Sequence, residues 1–121
     1  SRAVRARALH RQGEEAQHAS RWREAAALHT RAAALQDVDT AAFHCLELAG
    51  NLLYHASDLR GARRAMDAAA VRALMVGDAA RAADAYLKAG SVARQAGDTA
   101  GADAYARRAD RLIATGTLTP A

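Results

Sequence analysis

Apolar and polar positions along this chain follow helical spacing, and helix-breaking residues divide it into six stretches of similar length: 3–18, 21–36, 40–56, 59–75, 79–96 and 99–114. Each boundary has a chemical reason. Ser20, Asp39 or Thr40, Asp58, Asp78 and Asp98 stand where a side-chain oxygen can accept from the free amides of the next helix's first turn. Gly77 and Gly97 directly precede two of those aspartates, and glycine takes the left-handed conformation that closes a helix most readily. Loops this short force consecutive helices to lie antiparallel. The expected core includes Leu9, Trp22, Leu28, Leu46, Leu53, Leu59, Met66, Leu74, Tyr86 and Ile113.

An internal repeat turns this set of helices into a specific array. Gly13, Gly50 and Gly90 each lie inside a first helix of a pair; each is followed after 12 residues by an alanine (Ala25, Ala62, Ala102) and after 19 by another (Ala32, Ala69, Ala109). A large apolar residue stands four positions before each glycine (Leu9, Leu46, Tyr86), and a turn residue seven after (Ser20, Ser57, Gly97). A glycine inside a helix costs about 1 kcal/mol relative to alanine, so its recurrence at one register points to a close helix approach that a side chain would block.

This pattern resembles the tetratricopeptide repeat, whose paired helices touch at a first-helix glycine and two second-helix alanines. The resemblance spans about Arg5 to Ala114. It implies an all-α single domain, residues 1–121, of three antiparallel helix pairs stacked as a right-handed array, with repeats at 3–38, 39–77 and 78–115 and a tail at 116–121; a closed helical bundle is the alternative. The departures are definite. The glycines are 37 and 40 residues apart, against a family unit of about 34. The aromatic expected four residues after the second-helix alanine is His29, Met66 and Ala106 here, and no proline ends each unit.

Composition agrees with helices packed closely. There are 36 alanines and a single proline, Pro120. The net charge of +4 arises from arginines interspersed with acids, and the only local excess is Arg2, Arg5, Arg7 and Arg11 before Glu14, which argues against a face that tracks nucleic-acid phosphates. One cysteine, Cys45, excludes an internal disulfide and leaves the compartment open. No apolar run reaches the ~20 residues of a membrane span.

In a stack of helix pairs the first helices line an inner face where partners bind. The resemblance assigns to it His10, Glu14 and His18 with Arg7, Arg11 and Gln17; His44, Glu47, Asn51, Tyr54 and His55 with Leu48; and Lys88, Ser91 and Arg94 with Asp84, Leu87 and Gln95. Helical spacing independently puts His44, Leu48, Asn51 and His55 on one face, and His10, Glu14 and His18 on another. The plain alternative is an unliganded solvent face. Some members of the family clamp a terminal carboxylate, but only Asn51 and Lys88 suit that task, and Glu14 and Asp84 put negative charge where the clamp needs donors.

Four inner-face histidines near Glu14 and Glu47 raise a metal reading, since imidazole and carboxylate suit zinc or iron. Glu15 and His18 have the Glu-x-x-His spacing of di-iron bundles, yet no second such motif exists, so no metal or other cofactor is expected. Cys45 and His44 are sequence neighbours whose side chains diverge by about 100°, so they do not make a nucleophile and base. The isolated helical glycines form no phosphate loop. The expectation is a non-enzymatic interaction module or scaffold that binds a peptide or helix of another protein, with a histidine-rich metal-binding protein or a structural spacer as alternatives. Self-association through the ends of the stack is also expected, because end helices carry apolar residues (Tyr105, Leu112, Ile113) that no further helix covers. Gly116 is expected to end the sixth helix, and Leu118-Thr119-Pro120-Ala121 reads as the start of another, consistent with a chain that begins at Ser1 as an excised or processed piece.

Overall fold

The computed structural model describes the backbone of residues 1–118 and the side chains of residues 1–115, and it is all-helical. The elements are α1 (Arg2–His18), α2 (Trp22–Ala34), α3 (Asp39–His55), α4 (Leu59–Met75), α5 (Ala79–Gln95) and α6 (Thr99–Leu118). Among the described residues, extensive packing joins each helix only to its neighbours in sequence, so consecutive helices form antiparallel pairs and α1 and α6 are not packed extensively on each other.

One turn, used four times, sets this geometry. Ser20, Ser57, Gly77 and Gly97 adopt positive φ (59°, 62°, 72° and 83°), and the following amide donates five residues back: Arg21 to Ala16, Asp58 to Leu53, Asp78 to Ala73 and Asp98 to Ala93, all at 2.9 Å. This is the hydrogen-bond pattern that closes a helix through a left-handed residue. Asp58, Asp78 and Asp98 then accept from the amides of Gly61, Arg81 and Gly101 at 2.9, 3.0 and 2.8 Å, as their positions suggested. Ser20 does not cap α2; it is itself the left-handed residue, and Arg21 takes the capping position without a side-chain bond. The α2–α3 link differs. Val38 precedes α3 with no side-chain cap, and Asp39, one residue inside the helix, instead accepts from Arg72 of α4 at 2.8 Å.

The core is built mainly of alanine. Ala25, Ala62 and Ala102, and Ala32, Ala69 and Ala109, are all buried, as are Gly13, Gly50 and Gly90. A Cβ on Gly13 would meet the His29 ring at 2.7 Å, one on Gly50 the Met66 methyl at 2.7 Å, and one on Gly90 the Tyr105 Cβ at 3.3 Å. Larger residues fill the joints: Phe43, Leu46, Leu52, Met66 and Tyr105 are buried, with Leu9, Trp22, Leu28, Leu53 and Tyr86 half-buried against them. Leu59 is half-buried as well.

Four expectations need correction. Leu74 and Ile113 are 42% and 46% exposed, because the alanines beside them leave little depth into which a long side chain could turn. Tyr105, expected on the bare outer side of α6, is buried, donating to Asp67 at 2.6 Å and accepting from Arg63 at 3.1 Å. Arg63 also donates to Asp98 at 2.7 Å, so α4 is tied to both ends of this stretch of α6. Helix α6 runs through Gly116 to Leu118, and the expected helix start at Thr119 and Pro120 lies outside the described residues.

Gly13→Ala is expected to destabilise the chain by about 1 kcal/mol or more despite alanine's higher helix propensity, since the His29 ring cannot fold away. Gly50→Ala meets only the flexible end of Met66 and should be near neutral, whereas Gly50→Leu overpacks the same site by roughly 1–3 kcal/mol. Urea unfolding of the three variants checks the order.

Candidate functional site

The odd-numbered helices bring their expected inner-face side chains together. Between α1 and α3 lies a cleft of about 550 Å³ lined by Arg7, His10, Arg11, Glu14, Gln36, Ala41, His44 and Cys45. Between α3 and α5 lies a second, about 440 Å³, formed by Thr40, Phe43, His44, Glu47, Arg81 and Asp84. His44 borders both. Lys88 donates to Glu47 at 2.9 Å and pairs with Asp84 at 3.2 Å, and the Tyr54 hydroxyl meets the Gln95 amide at 2.7 and 3.0 Å. Burial opposes the Lys88 charge, but the two carboxylates outweigh it and raise its pKa.

The remaining expected residues are more dispersed. His55 packs on the Trp22 ring, with centroids 5.7 Å apart. His18 and Asn51 are exposed and line neither cleft. Ser91 and Arg94 line a separate groove of about 200 Å³ with Leu87, Gly90, Ala102 and Ala106, between α5 and α6 at the open end of the array. Gln36, Thr40, Arg81 and Cys45 were missed as cleft residues. Arg81 was legible, standing one and two turns before Asp84 and Lys88 on the same helical face; Gln36 and Thr40 flank the irregular α2–α3 link, where no periodicity speaks.

Beneath the first cleft sits the one polar residue of the described core, His29, fully buried. Its Nδ1 is 3.0 Å from Nδ1 of His10, whose Nε2 is 2.9 Å from Glu14. With both rings neutral and Nε2 of His10 donating to Glu14, Nδ1 of His10 accepts from the Nδ1–H of His29. His29 Nε2 is then a bare acceptor, buried without a partner. An unmet acceptor is tolerated better here than an unmet N–H would be. Cys45 Sγ lies 3.9 Å from the same His10 nitrogen, and burial pushes its thiol pKa up, so it stays protonated. This is a cysteine–histidine contact different from the His44–Cys45 neighbours weighed in the sequence, and it lacks an activated thiolate. Among the described residues no group of three or more histidine, cysteine, aspartate and glutamate side chains is disposed to hold a metal ion.

Burial, and then the neighbouring charge of His10, lowers the His29 pKa from 6.5 to about 4; Glu14 opposes the shift and His44 adds to it. A depressed histidine contributes stability that is complete above the unfolded value of 6.5 and is lost as pH falls toward 4, because the unfolded chain then takes a proton the folded one refuses. The loss on full titration is on the order of 3 kcal/mol. Unfolding free energies measured from pH 7.5 to 4 should show this slope, and His29→Phe, an uncharged ring of similar size, should flatten it.

The chain matches no protein-family model, no curated protein and no solved structure.

Proposed function

We propose that this chain is a non-catalytic, tetratricopeptide-like binding module whose inner face, formed by α1, α3 and α5, receives a peptide or helix of another protein. The observation that carries the reading is the pair of adjoining clefts on that face. Both are lined by charged and imidazole side chains, the second by Phe43 as well, both are open at the surface, and His44 joins them into one track. An open array keeps such a track accessible along its length, which is what an extended ligand needs.

Catalysis finds little purchase on the same face. The Cys45 thiol is held protonated, and His10 is committed on both nitrogens. The acids of the second cleft share one lysine and are not poised against a titrating partner. No helix of the described residues is long and apolar enough to cross a membrane.

A photoreactive amino acid placed at His44 or Tyr54 on the inner face, and at Arg60 or Arg107 on the even-numbered helices, tests the reading in cells. Adducts of discrete mass from the inner positions alone are expected. Adducts from Arg60 and Arg107 alone, or from none of the four, would favour a structural spacer. A second arm replaces Asn51, Tyr54 and His55 together by alanine, and recovery of the crosslinked partner through His44 should fall.

A further inference from the structure

The charges of the two clefts are not equally satisfied. In the second, Glu47 and Asp84 share Lys88, and Arg81 lies 3.4 Å from Asp78 and stacks over the Phe43 ring at 5.7 Å. In the first, Glu14 is bound to His10, whereas Arg7 and Arg11 make no hydrogen bond or ion pair among the described residues. These two arginines are four residues apart, hence neighbours one turn along the exposed side of α1. Below them the floor is Ala41 and the thiol of Cys45, neither of which offers a counter-ion. From sequence, Glu14 and Asp84 were expected to repel an anionic ligand; Glu14 is the one acid facing Arg7 and Arg11 in the first cleft, and Asp84 lies in the second, where it shares Lys88 with Glu47.

We propose that the α1–α3 cleft receives the carboxylate side chain of an acidic peptide segment, gripped by Arg7 and Arg11 above the apolar floor of Ala41 and Cys45. This rests on the binding-module reading and names the partner's chemistry. Two guanidinium groups within reach of one site suit a planar carboxylate, which accepts paired N–H bonds in a fork geometry. The apolar floor favours the methylene stem of a glutamate over a bare ion. A nucleic-acid strand fits less well, since it needs a row of free cations, and the track beyond His44 presents Glu47 and Asp84, two acids that share the one lysine Lys88.

Fluorescence anisotropy on the 121-residue chain tests the assignment with labelled, C-terminally amidated 12-residue peptides of alternating glutamate and alanine, and with glutamine, lysine or phosphoserine replacing glutamate. The glutamate peptide should bind at least tenfold more tightly than the glutamine or lysine peptide. Arg7→Ala with Arg11→Ala should weaken it at least tenfold, while Arg60→Ala with Arg107→Ala should leave it unchanged; far-ultraviolet circular dichroism confirms that each variant is folded. Equal binding of the glutamate and glutamine peptides, or equal sensitivity to both arginine pairs, overturns the proposal. So does tenfold tighter binding of the phosphoserine peptide, or of a 12-nucleotide single strand through the same two arginines. Inner-face crosslinks that persist after such a failure would leave the binding module standing with a neutral or basic partner.

Discussion

Close approach of helix backbones across small side chains is the constraint from which the rest of this structure follows. At Gly13, Gly50 and Gly90 there is no room for a methyl group without moving a neighbour: the His29 ring, the Met66 side chain, and Tyr105 with the Ala102 backbone face them in turn. Dispersion contacts between such surfaces are individually weak, but close packing makes them numerous. An alanine buries little area, so no single residue anchors the core; stability is distributed along every helix joint. It also follows that long apolar side chains at the edge of a joint, such as Leu74 and Ile113, remain partly exposed.

Thin joints leave orientation to be set by polar ties, and these lie at the edges of the array. Arg63 reaches from α4 to Asp98 and Tyr105, Lys88 from α5 to Glu47, and Tyr54 from α3 to Gln95. Each links a helix to the one two places away, across the pair boundary. Partly exposed bonds of this kind contribute modestly to stability. Their larger effect is to fix the rotation of one pair upon the next, and so the width of the inner face.

Much of this was legible in the sequence because it depends on backbone chemistry that few residues can supply. Gly77 and Gly97 with their following aspartates announced two turns, and Ser57 with Asp58 a third; the recurring glycine and alanines announced the helix pairs. Ser20 misled because serine caps helices far more often than it adopts a left-handed backbone, and only the neighbouring turns reveal its role. The inner face was legible as a set of helix positions but not as clefts. Which of its charges are free depends on side-chain pairing across helices, and no single-helix periodicity encodes that. His29 was the least visible, since the resemblance drawn from the sequence expects an aromatic at that position and its partner His10 lies 19 residues away.

The two pair boundaries are not braced alike. Between the second and third pairs run the Lys88, Tyr54 and Arg63 ties. Between the first and second pairs, no side-chain hydrogen bond or ion pair joins α2 to α4 among the described residues, and α1 meets α3 through the long Cys45–His10 contact and the His10 and His44 rings, centroids 6.4 Å apart. The link there, between α2 and α3, is also the only one that lacks the left-handed turn shared by the other four. Local opening is drawn from regions with few cross-links, so the first pair is the part of the array freest to tilt. The larger cleft, with its two unpaired arginines, lies at that same boundary. A ligand that bridged Arg7 and Arg11 to the α3 side would therefore supply the lateral bond that this boundary lacks, so ordering of the first pair and occupancy of the cleft are coupled in one equilibrium.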